Sequence, residues 1–298
     1  MKSVSSVRYL IITVLNAIIT IAEFIGGFMS GSLALVSDAV HNLSDVGSIV
    51  LAFIANLIAR KKNDRYKTFG YKRAETLAAF TNGIILIVIS VYLFIEAIRR
   101  FASPEPIKGP LMFWVSIIGL FGNVVSMLVM MQGAKGNLNA KAMFLNMAAD
   151  ALSSVAVVLG SIVISIWHIT IIDPILTLAA SLLLLNEAIK VTLDATNILM
   201  EANPNIDLDQ VKQIMVTFPE VKNVHHVHIW QYSDDIIMLD AHINVDKGMQ
   251  AEELDALYHK IEEKLYQELS ISHVTLQAEC ERGRNHKMIA KGINIKDD

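Results

Sequence analysis

The chain has 298 residues, 53% of them hydrophobic and 18% charged, with a net charge of −4 and a single cysteine, Cys280. Soluble domains hold roughly 45–50% apolar and about 25% charged residues, so the apolar excess points to membrane spans. The mild acidity gives no reason to expect nucleic acid as a partner, and one cysteine excludes an internal disulfide and an all-thiolate metal site.

Six apolar stretches predict membrane helices over 8–28, 33–59, 75–98, 111–132, 140–166 and 171–195. Each is close to the ~20 residues that cross the hydrocarbon layer, and only helices satisfy so many backbone groups in lipid. The first lacks a small-residue cleavage pattern and reads as a retained helix. Lys2 and Arg8 precede the first span. The second loop carries Arg60, Lys61, Lys62, Arg65, Lys67, Lys72 and Arg73, and the fourth carries Lys135 and Lys141. The first and fifth loops, around Gly31 and Ile169, carry no Lys or Arg. Arg99, Arg100 and Lys108 in the third loop oppose the trend, yet the balance places both termini in the cytoplasm.

Composition changes after residue 203. The segment 204–282 reads as helix, strand, strand, helix and strand in "LDQVKQIMVTF", "NVHHVHIWQY", "IIMLDAHINV", "AEELDALYHKIEEKLYQEL" and "SHVTLQAE". That order predicts a compact α+β domain. The expected division is a transport domain over 1–200, a soluble domain over 204–282 and a disordered tail over 283–298.

Polar residues within the spans carry the chemistry. In "SDAVHNLSDVGS", His41 and Asp45 stand four apart and share a helix face, and "FLNMAADALSS" repeats the spacing with Asn146 and Asp150. A charge at the bilayer centre costs roughly 2.5–3.5 kcal/mol on insertion scales, so it needs a partner, a cavity or a metal. Either pair alone reads equally well as a polar contact between helices. Two pairs together offer an imidazole, two carboxylates and an amide, with a charge of −2 that suits a divalent cation. Asp38, one turn earlier, is expected as a helix-start residue or at the mouth of that site. Asn16, Glu23, Asn82, Glu96, Asn123, Asn186 and Glu187 stand singly and are expected to make structural hydrogen bonds, with Glu23 also a candidate for an access path.

The segments "SLALVSDAVHNLSD", "FGYKRAETLAAF", "IIDPILTL" and "VHHVHIW" resemble, in order and spacing, those of the cation diffusion facilitator family over about residues 8–282. The resemblance implies an all-α six-helix transmembrane domain, a cytoplasmic α+β ferredoxin-like domain and a homodimer. It also implies secondary active export of divalent metal, zinc first, in exchange for protons, with no enzymatic activity and no organic cofactor. Its transport site falls here on His41, Asp45, Asn146 and Asp150. Zinc-transporting members usually carry His where this chain has Asn146. The amide oxygen is a harder ligand than imidazole, so preference is expected to widen toward cobalt, iron, manganese or cadmium. Fewer protons are expected per metal, because an amide carries none.

The resemblance implies more sites. Relatives hold a metal in the second loop on histidines where this chain has Lys67 and Tyr71, so none is expected there. Arg73 matches a residue that forms a salt bridge where the spans meet the soluble domain. Six of the nine histidines fall between 225 and 273. Alternation puts His226, His228 and Trp230 on one strand face and His225, Val227 and Ile229 on the other. The family's cytoplasmic metal site falls on His225, His242, His273 and Glu279, while His226 and His259 read as solvated. The expected location is a bacterial inner membrane. Two other classes stand against a transporter. A membrane-embedded metal-dependent hydrolase would want a general base, yet no HExxH-type helix or paired nucleophile is present. A membrane metal sensor would bind metal through the soluble domain alone.

Overall fold

A computed structural model describes residues 6–131 and 138–289. Lys2 and Lys135, two of the residues behind the expected orientation, lie outside them. Six long helices come first: α1 (Ser6–Ser30), α2 (Leu33–Ala59), α3 (Arg73–Ala102), α4 (Gly109–Met131), α5 (Leu138–Trp167) and α6 (Ile172–Leu199). All six are long and apolar enough to cross a membrane, so the chain is a multi-pass integral membrane protein. The chain folds as two compact units, residues up to Leu57 with Ala78–Thr192, and Ile58–Leu77 with Leu193 onward.

In the first unit α4 packs on both α1 and α5. Gly119 and Gly122 allow the α1–α4 approach. A Cβ at Gly119 would lie 2.0 Å from Glu23 Oε1, and one at Gly122 would lie 2.1 Å from Ile19 Cδ1. Phe28, Phe53, Trp114, Phe121, Leu152 and Leu183 are exposed, as side chains facing lipid are. The interior instead holds hydrogen bonds: buried Ser126 Oγ donates to Asn16 Oδ1 at 3.2 Å and buried Asn123 Nδ2 to Ser154 Oγ at 2.8 Å, while half-buried Asn82 Nδ2 donates to Ser48 Oγ at 2.7 Å. The structural role expected of Asn16, Asn82 and Asn123 is therefore observed.

The start of α2 is capped from a distant part of the chain. Asp173, in the first turn of α6 and wholly buried, accepts from Leu33 N at 2.9 Å, from Ala34 N at 3.2 Å and from Ser32 Oγ at 2.5 Å. The amides that open a helix have no partner within it, and a carboxylate there also suits the helix dipole.

The second unit contains α7 (Leu208–Met215), β1 (Asn223–Ser233), β2 (Ile236–Asn244), α8 (Ala251–Leu269) and β3 (His273–Glu279). Its sheet has the order β1-β2-β3, with β1 antiparallel to β2 and β2 parallel to β3 across the α8 connection. Val211, Ile214 and Met215 of α7 and Leu257, Ile261 and Leu265 of α8 cover one sheet face, against Val224, Val227, Ile229, Leu239 and Ile243. The five elements match the expected order closely.

The strand alternation requires a correction. His225 pairs with His242 while His228 pairs with Asp240, so one extra residue stands on β1 between them. The extra residue is a β-bulge at His226, whose φ is +50°. It moves His225 off the face of Val227 and Ile229 and onto the face that carries His242. Of the expected tail, 283–289 run beside β1, where Val227 N donates to Met288 O at 2.8 Å. Residues 290–298 lie outside the described residues.

Asp173→Ala is expected to destabilise the membrane unit by about 2 kcal/mol, from the lost cap and charge-assisted hydrogen bonds. Thermal unfolding in detergent measures it; unchanged stability would mean that the α2 amides find other partners.

Candidate metal centre

Helical spacing brings the two pairs from α2 and α5 together. His41 Nε2 lies 2.9 Å from Asp150 Oδ1. Asn146 Nδ2 donates to Asp45 Oδ2 at 3.2 Å and, more weakly, to Asp150 Oδ2 at 3.5 Å. Ligand atoms of His41, Asp45 and Asp150 all lie within 4.8 Å of one another. The cluster runs from exposed Asn146, through half-buried His41 and Asp45, to buried Asp150. All four expected residues meet at one place. The amide turns its NH2 toward the two carboxylates, so acting as a ligand requires it to rotate and present Oδ1.

Further acids lie nearby. Asp38 is buried, and its carboxylate accepts from Ser153 Oγ at 3.4 Å and Ser154 Oγ at 3.2 Å, both on α5. It is no helix-start residue, because α2 opens at Leu33 under the Asp173 cap. Glu23 of α1 is 1% exposed and accepts from Asn42 Nδ2 at 2.8 Å. Asn42 stands next to His41 in "VHNLSD", where a polar side chain within an apolar span is the sequence signal for such a contact. Thus α1, α2 and α5 each bring an acid into this buried region.

A second cluster stands on the sheet. His225 and His242 are cross-strand partners, and Glu279 closes β3 beside Asn244. Glu279 Oε2 lies 3.3 Å from His225 Nε2, and Oε1 lies 3.2 Å from His242 Nδ1. Ligands around a tetrahedral zinc at 2.0–2.1 Å stand about 3.3 Å apart. His225 Nδ1 and Glu279 Oε2 have no partner with hydrogen-bond geometry. Two imidazoles and a carboxylate thus fit a divalent ion. His273 does not join them: it opens β3, six residues from Glu279 and so about 20 Å along the strand. His286, which the expectation of a disordered tail passed over, has its ring 5.8 Å from that of His225.

The cation efflux transmembrane domain matches residues 9–200, and the cytoplasmic domain of cation efflux proteins matches 203–281. The chain belongs to the cation diffusion facilitator family. It is 40% identical to a cadmium, cobalt and zinc/H(+)-K(+) antiporter of Bacillus subtilis strain 168, over 89% of this chain and 86% of the relative. It is 37% identical to the zinc transporter ZitB of Escherichia coli K12, over 87% and 82%. It is 34% identical to the metal cation efflux system protein CzcD of Cupriavidus metallidurans CH34, over 88% and 84%. Cation diffusion facilitators are transporters, not enzymes, which sets aside the hydrolase.

Two features of this member lie in the second unit. Arg73 Nη2 pairs with Glu201 Oε1 at 3.1 Å, and its guanidinium stands 5.2 Å from the centre of the Tyr232 ring, which suits a cation–π contact. In the loop where relatives carry histidines, Asp64 accepts from Tyr66 N and Lys67 N at 2.8 Å and from Tyr71 Oη at 2.7 Å. Those three donors hold the Asp64 carboxyl below its ordinary range and spend its lone pairs within the loop.

Burial holds the His225 imidazole below its ordinary pKa, against the opposing pull of Glu279. The folded chain therefore binds fewer protons here than the unfolded chain. The stability this group contributes is complete above an unfolded value of about 6.5 and is lost as pH falls through it toward the folded value. From about pH 5.5 to about pH 7.5 this group is expected to raise the unfolding temperature of metal-free protein, so the change over that range is less positive in His225→Asn than in the unaltered chain. Parallel profiles for the two proteins would contradict this.

Proposed function

We propose that this cation diffusion facilitator exports divalent transition-metal ions, zinc foremost, from the cytoplasm across a bacterial inner membrane, and takes protons in return. One observation carries the reading: the donor atoms of His41, Asp45 and Asp150 converge within 4.8 Å inside membrane-spanning helices. The relatives support the cargo, since they are named as antiporters or transporters of zinc, cadmium and cobalt, one of them in exchange for protons. His41 is the proton carrier: a metal binds only the unprotonated imidazole, so each ion taken up displaces a proton and each returning proton favours release. Asp45 and Asp150 supply the matching charge. Asn146 completes the set through its carbonyl oxygen, a donor that stays neutral.

The same reading places both termini in the cytoplasm and makes the protein a homodimer joined through its C-terminal domains, whose family name is that of a cytoplasmic domain. His225, His242 and Glu279 bind a regulatory metal ion there, and His273 reaches no such site within one chain. Arg73 and Glu201 brace the base of that domain.

Zinc uptake into inside-out vesicles under an imposed pH gradient tests the transport site. Asp45→Asn and Asp150→Asn are each expected to lower uptake at least tenfold while the protein still folds, because each removes a charged ligand. Uptake at the unaltered rate in both would sink the proposal. In the same vesicles Asn146→His is expected to raise the number of protons exchanged per metal and to narrow preference toward zinc. Equal ratios before and after would remove Asn146 from the proton count.

A further inference from the structure

The segment that follows β3 is built to lie across the histidine–glutamate cluster of the C-terminal domain. Asn223 and Asn244 are cross-strand partners, two positions from the His225–His242 pair and on the same sheet face. Their side-chain amides hold the segment by its carbonyls. Asn244 Nδ2 donates to Arg282 O at 2.7 Å, and Asn223 Nδ2 approaches Gly283 O, Arg284 O and His286 O at 3.4, 3.2 and 3.5 Å. Val227 N then donates to Met288 O at 2.8 Å, just beyond the bulge. Gly283 crosses the His225 ring so closely that a Cβ there would lie 2.0 Å from Nε2, and its φ of +64° is one that favours glycine.

This path delivers an imidazole to the cluster. The His286 ring stands 5.8 Å from His225 and perpendicular to it, and the His242 ring stands 5.4 Å from His225 at 83°. Two imidazoles on one tetrahedral zinc have ring centres about 5 Å apart, given bonds of 2.0–2.1 Å. His226 instead stacks on His242, with 27° between the ring planes, and turns its face toward that neighbour.

We propose that residues 283–289 are a metal-locked strap, with His286 as the fourth ligand of a divalent ion held by His225, His242 and Glu279. This rests on the regulatory metal site proposed above and adds what that site does: metal binding fastens the C-terminal segment along β1. The His286 imidazole is exposed, and a metal bond to it adds to the backbone contacts that already seat the segment. With metal it closes the site with donors from one chain, leaving no ligand position that a second subunit must fill.

The test uses full-length protein in detergent, carrying Asp45→Asn and Asp150→Asn so that the membrane cluster does not compete for metal. Zinc affinity is measured against a chromophoric chelator, and amide hydrogen exchange is followed over 283–289 with and without zinc. Zinc is expected to slow exchange in the strap. His286→Ala is expected to weaken zinc binding on the order of 10–100-fold, since loss of outer-shell partners alone costs that much, and to abolish the protection. Asn223→Ala keeps every ligand and removes the amide that holds Gly283 O, Arg284 O and His286 O, so it is expected to weaken both effects. If His225→Ala abolishes binding while His286→Ala and Asn223→Ala leave affinity and protection intact, the strap proposal is overturned and the metal site stands. If His225→Ala also leaves zinc binding unchanged, the regulatory site fails and the strap with it.

Discussion

The membrane unit is organised around the cost of placing carboxylates where water is scarce. Glu23, Asp38 and Asp150 are each 5% exposed or less, and Asp45 stands beside them. A single hydrogen bond returns only about 0.5–1.5 kcal/mol net, less than the roughly 2.5–3.5 kcal/mol that one charge costs at mid-bilayer. Each acid therefore draws donors from a neighbouring helix: Asn42 to Glu23, Ser153 and Ser154 to Asp38, His41 to Asp150 and Asn146 to Asp45. Those bonds tie α1 to α2 and α2 to α5. The helix contacts follow the same logic, since Gly119 of α4 leaves the space that the Glu23 side chain fills. In a medium where apolar association contributes little, these polar ties and close contacts set which helices touch.

What could be read beforehand divides along the range of the interactions. The spans, the five elements of the C-terminal domain and the pairing of His41 with Asp45 depend on periodicity within one segment, which sequence displays directly. The meeting of that pair with Asn146 and Asp150 needed only the rule that ionised groups in lipid seek partners. Four features needed contacts between remote segments. Asp173 caps a helix about 140 residues away, and Asn42 serves Glu23 from another span. One extra residue at His226 shifts every side chain before it to the opposite face, an event that strict alternation does not contain. The polar segment from Arg282 reads as disordered by composition, because what holds it is a pair of asparagine side chains on strands 38 and 61 residues earlier in the chain.

The two clusters use similar donors under different constraints. In the membrane, a neutral His41 with Asp45 and Asp150 carries −2, so a divalent ion leaves no net charge in the low-dielectric layer. On the sheet, His225, His242 and Glu279 carry −1, and a bound ion leaves +1. The neighbourhood there is one that water and counter-ions reach, so exact neutrality matters less. A site that must load and empty in each cycle gains from partial exposure and from ligands that a proton can displace. A site that fastens a segment gains from buried ligands and additional donors.

Asn146 shows how one side chain can shift that balance. In the geometry observed, its NH2 group spans Asp45 and Asp150 and offsets part of their mutual repulsion without carrying charge. An imidazole at this position would offer one N–H at neutral pH and a second only on protonation. The amide thus stabilises the metal-free acids independently of pH. If Asn146 ligates an ion as proposed, that stabilisation is given up as the amide rotates to offer oxygen, which lowers net affinity for every metal. The loss falls hardest on ions that gain most from nitrogen donors and least on those content with oxygen. On the proposed reading, selectivity at this centre follows from the cost of rotating the same amide that holds its carboxylates together in the metal-free site.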